Sequence, residues 1–265
     1  MIGTAWMANI TDELIKRLSG EFPSLRRSLD VYYGDAARDA AMDRVYARFI
    51  RPGALAFDIG SHVGDRIGSF RRLGARVVAL EPQPDCAQVI RDIYAADADV
   101  TLEEAACGAT PGRLRMRVNS ANPTVTTASS DFVAAAEGAP GWQGQVWDRE
   151  IEVPSTTLDA LIATHGLPGF VKIDVEGFED AVLAGLSAQL PALSFEFTTI
   201  GRDVAYRCLD RLAVLGPYRF DIALGESQEL TFGEGHDVDA AWMAAHLRSL
   251  AHEANSGDVY ATLPR

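Results

Sequence analysis

The chain has 265 residues, of which 48% are apolar, and it carries a formal net charge of −13 at pH 7. A core of this size suits one α/β domain with embellishments, and the acidic balance, with no block of Lys or Arg, excludes a surface that tracks phosphates, so we expect no nucleic-acid partner. The three cysteines show no metal-ligand spacing, and neither a leader core nor a run of about 18 apolar residues is evident, so we expect a cytoplasmic protein that binds no membrane.

The first 50 residues precede any strand pattern. Helical periodicity covers residues 10–18 and 35–49, and glycine and proline residues separate the two segments. We interpret residues 1–50 as a helical cover and residues 51–265 as the main domain.

The most informative segment is AFDIGSHVGDRIG, residues 56–68. A short apolar strand ends at Gly60, and Gly60 and Gly64 bracket the turn into a helix over residues 65–73. Glycines at these places allow positive φ and let a ligand approach the backbone. The polar residues in or beside this turn are Asp58, Ser61 and His62.

A second apolar strand, RVVAL, follows the helix and ends at Glu81, which is followed by Pro82. Glu81 comes 81 − 60 = 21 residues after Gly60, the separation expected for an acid that binds the hydroxyls of a ribose. The two strands and the helix between them therefore predict a βαβ unit that binds a nucleoside.

The glycine pattern separates two nucleoside cofactors. A dinucleotide-binding turn reads GxGxxG because a pyrophosphate lies against bare backbone, but His62 stands where the second glycine is required. S-adenosylmethionine has no phosphate and carries a sulfonium cation, so the acids Asp58 and Glu81 favour it over NAD. An NAD-dependent oxidoreductase is kept as an alternative, although no YxxxK pair occurs to support hydride transfer.

A third strand is predicted over residues 99–104, after a helix that Asp85 caps. It ends close to the expected position of the adenine ring. Glu104, or its neighbour Glu103, is therefore a candidate to contact the adenine amino group.

Residues 119–150 form an insertion after a hairpin-like strand over residues 113–118. The insertion is rich in small and turn-forming residues and contains Trp142 and Trp147. Long loops inside compact domains are often functional, so one interpretation is a mobile lid whose tryptophans offer flat faces to a substrate ring. Anchoring of the loop to the protein surface explains the tryptophans equally well.

The segment from residue 153 to residue 186 again predicts a helix followed by a strand that ends at an acid. A helix is predicted over residues 155–165, and a strand over residues 170–173 ends at Asp174, with Glu176 two residues later. Parallel strands bring their carboxyl ends to one edge, so Asp174 should share a cleft with the acids of the first two strands.

A fifth strand, ALSFEF, carries Glu196 between two phenylalanines. A buried acid is costly unless it is paired or used, so Glu196 is either a hydrogen-bonded core residue or a catalytic group with a raised pKa, and we favour the second. Glu179 and Asp180 are interpreted as first-turn charges of the preceding helix. The remaining pattern predicts helices over residues 204–215 and 240–253 and strands over residues 218–222 and 258–263.

Two blocks, FDIGSHVGD with ALEP and STTLDAL with VKIDVEGFEDAVLAGL, resemble the FkbM-type methyltransferases. The resemblance implies a class I, Rossmann-like α/β fold with a seven-stranded, mostly parallel sheet, an antiparallel last strand and helices on both faces. It also implies S-adenosylmethionine as cofactor and O-methylation of a hydroxyl on a sugar, glycan or natural-product scaffold. The cofactor-binding residues expected together are Asp58, Gly60, Ser61, His62, Gly64, Glu81, Pro82, Glu104 and Asp174.

Methyl transfer to an alcohol requires a base within hydrogen-bond reach of the hydroxyl. The candidates are Asp174, Glu176 and Glu196, and Glu196 is our choice. Asp174 and Glu176 offer hard oxygen ligands for Mg²⁺, but a metal is not favoured because the sequence shows no third ligand. A non-catalytic binding protein on the same fold stays an alternative, and the sequence is compatible with an oligomer.

Overall fold

The structure is a computed structural model, and it describes residues 10–233 and 235–264. The helices in these residues are α1 (Asp12–Glu21), α2 (Arg26–Tyr32), α3 (Ala36–Tyr46), α4 (Asp65–Arg72), α5 (Pro84–Ile93), α6 (Ser130–Ala136), α7 (Leu158–His165), α8 (Glu179–Ala184), α9 (Arg202–Leu215) and α10 (Ala240–Ser249). The strands are β1 (Leu55–Ile59), β2 (Arg76–Leu80), β3 (Val100–Glu103), β4 (Ala106–Cys107), β5 (Gly112–Val118), β6 (Arg149–Thr156), β7 (Phe170–Ile173), β8 (Ala192–Thr198), β9 (Arg219–Leu224) and β10 (Ser256–Thr262). None of the described helices combines the length and the apolarity that a membrane span requires.

A seven-stranded sheet in the order β3-β2-β1-β7-β8-β10-β9 forms the centre of the molecule. The neighbours from β3 to β8 are parallel, and β10 runs antiparallel to both β8 and β9. This is the class I, Rossmann-like arrangement, so the predicted sheet with its antiparallel last strand is confirmed.

Helices cover both faces of this sheet because successive strand residues point to opposite sides. Phe57 packs in an apolar cluster with residues of α7 to α10, such as Leu209, whereas its neighbour Ala56 packs in a second cluster with residues of α1 to α5, such as Leu29 and Phe70. The N-terminal helices therefore pack on the same face as α4 and α5.

A small second sheet, in the order β4-β6-β5, stands beside the main one. β6 pairs antiparallel with β5 from Arg149 to Ser155, so the helix predicted over residues 155–165 begins too early. Thr157 is the N-cap of α7, and its hydroxyl accepts from the amide of Ala160 at 3.1 Å. The predicted cap at Asp85 is also wrong, because α5 begins at Pro84.

The insertion has regular structure and an apolar core of its own. It contains α6, and the rings of Phe132 and Trp142 meet edge to face at 5.1 Å between centroids. The indole of Trp147 donates to the carbonyl oxygen of Val125 at 2.8 Å. Both tryptophans thus pack mainly within the insertion itself, whereas the sequence analysis offered a mobile lid or anchoring to the protein surface.

The core of the insertion gives a test of this packing. Phe132 is 3% exposed, so Phe132→Ala should lower the free energy of unfolding by about 3 kcal/mol or more. Val146→Ala, at a residue that is 61% exposed in the same segment, should change it by less than about 0.5 kcal/mol. Urea denaturation measures both, and similar losses for the two variants would contradict the packing.

Candidate functional site

The candidate functional side chains lie at one edge of the main sheet. β1 has β2 on one side and β7 on the other, and the segments that follow these three strands contain Gly60, Glu81 and Asp174. The chain order reverses between β1 and β7, and ligands of open α/β sheets bind in the crevice that such a reversal leaves at the carboxyl ends.

The loop after β1 is compact because two of its residues lack side chains. Gly60 and Gly64 have φ of 85° and 86°, and a Cβ at Gly60 would lie 1.8 Å from the carbonyl oxygen of Asp174. Only glycine permits this approach of the β1 and β7 loops. Ser61 holds the loop further, because its hydroxyl donates to the carbonyl oxygen of Asp58 at 2.9 Å.

Glu81 is buried after the end of β2 and receives two backbone hydrogen bonds. Its Oε2 accepts from the amide of His62, and its Oε1 from the amide of Gln83, both at 2.8 Å. Burial raises the pKa of Glu81 to about 8, although these two bonds favour the ionised form. Each oxygen keeps a further lone pair, so the carboxylate can accept from two hydroxyl groups of a ligand.

The side chain of His62 has partners within the protein. Its Nε2 lies 2.7 Å from the hydroxyl oxygen of Ser28 on α2, and its Nδ1 lies 3.6 Å from the sulfur of Cys86 on α5. Burial lowers the pKa of His62 to about 4, so the ring is neutral. The ring therefore ties two helices to the loop, and the backbone amide is the part of His62 that supports Glu81.

Asp58 is a buried acid on β1 with an unpaired oxygen. Its Oδ2 accepts no hydrogen bond from any described residue. Burial, reinforced by the charge of Asp65, raises the pKa of Asp58 to about 7. Such a group is costly in isolation and would be stabilised by a cation nearby.

Two cavities meet at Gly60 and Asp174, which line both. What we call the apolar cavity extends beside Glu81, and its walls include Leu80, Pro82, Cys107, Leu114, Met116 and Phe178. What we call the acidic cavity extends towards the N-terminal helices, and its walls include Tyr32, Asp58, Arg66, Lys172, Glu176 and Glu196. A wider groove between the N-terminal helices and α4 is lined by neither Asp58, Glu81 nor Asp174.

Three carboxylates converge in the acidic cavity. Asp174 follows β7, Glu176 lies in the next loop with φ of 56°, and Glu196 is on β8. One oxygen from each lies within 4.8 Å of the others. The structure thus brings together the three acids that sequence analysis proposed as bases, although 20 residues separate Glu176 from Glu196 in the chain.

Mutual repulsion and burial determine how these acids hold protons. Burial, followed by the charge of Asp174, raises the pKa of Glu176 and that of Glu196 well above their ordinary range. Burial also opposes ionisation of Asp174, but the charges of Lys172 and Arg66, together with side-chain hydrogen bonds from Lys172 and Glu196, lower the pKa of Asp174. Asp174 is therefore the acid of the three that ionises most readily, and Glu176 and Glu196 bind protons more strongly than ordinary carboxylates.

Lys172 is a residue whose role the sequence analysis missed. It is fully buried in β7, and its Nζ donates to Asp174 at 3.0 Å and to Asp258 on β10 at 2.8 Å. A lysine in the middle of a buried strand is rare unless it is paired. That rule, applied to the sequence VKID, would have indicated an ion pair with the acid two residues later on the same face.

Glu179 has more than the helix-dipole role predicted for it. It is 2% exposed, and its Oε1 accepts from the amides of Val175 and Gly177 at 3.0 and 3.2 Å. This carboxylate shapes the loop that carries Glu176. An acid that follows loop amides by two to four residues can accept hydrogen bonds from them. This spacing is the sequence signal that could have indicated the role of Glu179.

The structure does not bring Glu104 to the apolar cavity, which corrects its predicted position. Its side chain is exposed and pairs with Arg91 on α5, while Glu103 accepts from His165 at 2.6 Å. The strand β3 ends at Glu103, and the residues that line the cavity beyond it are Ala105 to Cys107. An exposed ion pair at the end of β3 therefore replaces the predicted adenine contact.

The close approach of the two loops can be tested with paired glycines. Gly53 has φ of 82° with open space around its Cβ position, so Gly53→Ala should cost only the left-handed conformation, about 1 kcal/mol of unfolding free energy. Gly60→Ala has the same conformational cost and must also displace the backbone of the loop after β7. We therefore expect it to lower the free energy of unfolding by about 3 kcal/mol or more. Equal losses in chemical denaturation would show that the loops do not touch.

Comparison with known proteins identifies the family. Residues 58–206, more than half of the chain, match the model of the methyltransferase FkbM domain. No curated protein matches the sequence.

Solved structures of methyltransferases are similar at low identity. The O-methyltransferase from Bacillus cereus in complex with SAH is 9% identical, with a TM-score of 0.47 over 98% of this chain and 96% of that one. TomG, the O-methyltransferase from Streptomyces achromogenes involved in tomaymycin synthesis, is 10% identical, with a TM-score of 0.46 over 98% and 95%. The TehB-like SAM-dependent methyltransferase from Corynebacterium glutamicum is 11% identical, with a TM-score of 0.46 over 94% and 100%.

The family match spans the elements that build the site, from Asp58 on β1 through Glu81 and Asp174 to Glu196 on β8. The chain therefore belongs to the FkbM methyltransferase family and is an S-adenosylmethionine-dependent methyltransferase.

Proposed function

We propose that this methyltransferase transfers the methyl group of S-adenosylmethionine to a hydroxyl of a sugar, glycan or natural-product scaffold. The observation that carries the proposal is the junction of the two cavities at Gly60 and Asp174. One cavity has the walls that an adenosine needs, and the other has the acids that an alcohol needs. A cofactor that spans the junction would present its methyl group to the acidic cavity.

The adenosine half of the cofactor would lie in the apolar cavity. Glu81 would accept from the two ribose hydroxyls while the amides of His62 and Gln83 hold it in place. Pro82 and the apolar walls would contact the base, since concave sites are lined mainly by apolar groups. The adenine contact assigned by sequence to Glu104 is not part of the proposal.

The methionine half would follow the loop after β1. Gly60 and Gly64 keep this path free of side chains, and Ser61 fixes the turn. The sulfonium and the ammonium of the cofactor are cations, so the acids Asp58 and Asp174 stabilise them by charge. We propose that these charges replace the partners that the buried oxygen of Asp58 lacks.

The chemistry is an in-line displacement that positioning accelerates. The acceptor oxygen attacks the methyl carbon, the carbon–sulfur bond breaks with its electron pair going to sulfur, and the hydroxyl proton must leave. We propose Glu196 as the base, because it lines the acidic cavity with a buried, unpartnered Oε2, and because burial and the neighbouring acids raise its pKa and so strengthen it as a proton acceptor. Asp174, paired with Lys172, would stay ionised beside the methyl donor.

Glu81 gives the test of cofactor placement. Glu81→Gln replaces one carboxyl oxygen by an NH₂ group that faces an amide donor and cannot accept from a ribose hydroxyl, so the dissociation constant for S-adenosylhomocysteine should rise by about 10-fold to 100-fold. Glu104→Gln, at an acid in the exposed pair with Arg91, should leave it unchanged within about twofold. Isothermal titration calorimetry measures both, and an equal effect of the two variants would refute the assignment of Glu81.

Glu196 gives the test of chemistry. Once an acceptor is found by following S-adenosylhomocysteine release across a panel of sugars and hydroxylated scaffolds, Glu196→Gln should lower kcat by about 100-fold to 10,000-fold. Its affinity for S-adenosylhomocysteine should stay within about threefold, since the residue lines only the acidic cavity. Unchanged turnover would remove Glu196 from the base role, and binding without any methylated product would favour a non-catalytic protein.

A further inference from the structure

We propose that Asp174, Glu176 and Glu196 bind a hard divalent cation of the Mg²⁺ type, and that this cation holds the acceptor through two neighbouring oxygens. The acceptor would then be a vicinal diol or an α-hydroxy carbonyl compound. The acceptor part of the proposal rests on the proposed function, whereas the cation site stands on the geometry of the three carboxylates.

The spacing of the carboxylates fits one shared ion. An oxygen of each lies within 4.8 Å of the others. Metal–oxygen distances for Mg²⁺ and Ca²⁺ are about 2.0 to 2.6 Å, so two ligands of one ion lie at most about 4 to 5 Å apart. The sequence showed two ligands of this site, and the sheet adds the third by placing β8 beside β7.

Two residues of the cluster have carboxylate oxygens without a hydrogen-bond partner among the described residues. Glu176 is 9% exposed, lines the acidic cavity, and its carboxylate accepts no hydrogen bond from any described residue. The Oε2 atom of Glu196 is buried and likewise unpartnered. Buried carboxylates are normally hydrogen-bonded, paired or bound to a metal. Glu176 in particular has no structural task that would explain its burial.

The protein supplies too little positive charge to balance the cluster. Lys172 is shared between Asp174 and Asp258, and the nearest cavity arginine, Arg66, is engaged with Asp65 and Glu226. The cofactor brings its own cations, so the sulfonium and ammonium are the competing explanation for the acidity. A cation site differs from that explanation in binding metal when no cofactor is present.

The cation would leave room for an acceptor and for the base. Mg²⁺ takes six oxygen ligands, so three protein oxygens leave three positions for two acceptor oxygens and a water. A bound cation would make an acceptor hydroxyl more acidic, and the second carboxylate oxygen of Glu196 would take its proton. The acceptor oxygen would form the bond to the methyl carbon as the carbon–sulfur bond breaks, with the electron pair going to sulfur, which gives the methyl ether and neutral S-adenosylhomocysteine.

Mn²⁺ titration followed by electron paramagnetic resonance tests the site directly. The protein should bind one Mn²⁺ per chain without cofactor, Mg²⁺ should displace it, and Glu176→Gln should weaken binding by at least about 10-fold to 100-fold. Glu226→Gln is the matched control, because Glu226 is an exposed acid at the same cavity outside the cluster, and it should change the affinity by less than about threefold. The absence of bound Mn²⁺, or equal effects of the two variants, would overturn the proposal.

Calorimetry with S-adenosylhomocysteine separates this proposal from the proposed function. If the cofactor product binds and turnover on the identified acceptor is unaffected by EDTA, the methyltransferase assignment stands and the cation site is wrong. If turnover is lost with EDTA, returns with Mg²⁺, and favours a vicinal diol over the matching mono-alcohol, both parts of the cation proposal are supported. If the untreated protein neither binds S-adenosylhomocysteine nor methylates any acceptor, the proposed function is refuted.

Discussion

The contact between the backbones of the β1 and β7 loops is the constraint on which the site depends. Gly60 lies against the carbonyl oxygen of Asp174, and this approach fixes the junction at which the two cavities meet. The same loop offers the amide of His62 to Glu81. The close approach at Gly60 thus determines where Glu81, the acid proposed to bind the ribose, lies relative to Asp174, the acid proposed beside the methyl donor.

The site also buries several charged side chains. The sheet buries Lys172 between Asp174 and Asp258, which keeps one acid ionised in a region where burial favours protonation. Burial, followed by the charge of Asp174, raises the pKa values of its neighbours Glu176 and Glu196. A ligand that brings positive charge is stabilised there, whether the charge is the sulfonium of the cofactor or a metal ion.

Segments outside the sheet complete both cavities. Ser28 on α2 contacts His62, and the hydroxyl of Thr127 in the insertion donates to the carbonyl oxygen of Glu176 at 2.7 Å. The ring of Phe132 lies so close to Gly177 that a Cβ there would be 2.7 Å from it. The N-terminal helices and the insertion therefore hold the loops that carry the acids, in addition to covering the core.

The sequence by itself determined the alternation of strands and helices, the glycine turn, and the acids at the ends of successive strands, because these depend on local periodicity and on the rule that parallel strands share one ligand edge. It also indicated the family that the domain match confirms. Only the tertiary structure decided that Glu176 and Glu196 meet, that Lys172 has two acidic partners, that Glu104 faces solvent, and that the insertion has its own core. Each of these depends on how side chains pack in three dimensions, which the periodicity of one segment cannot encode.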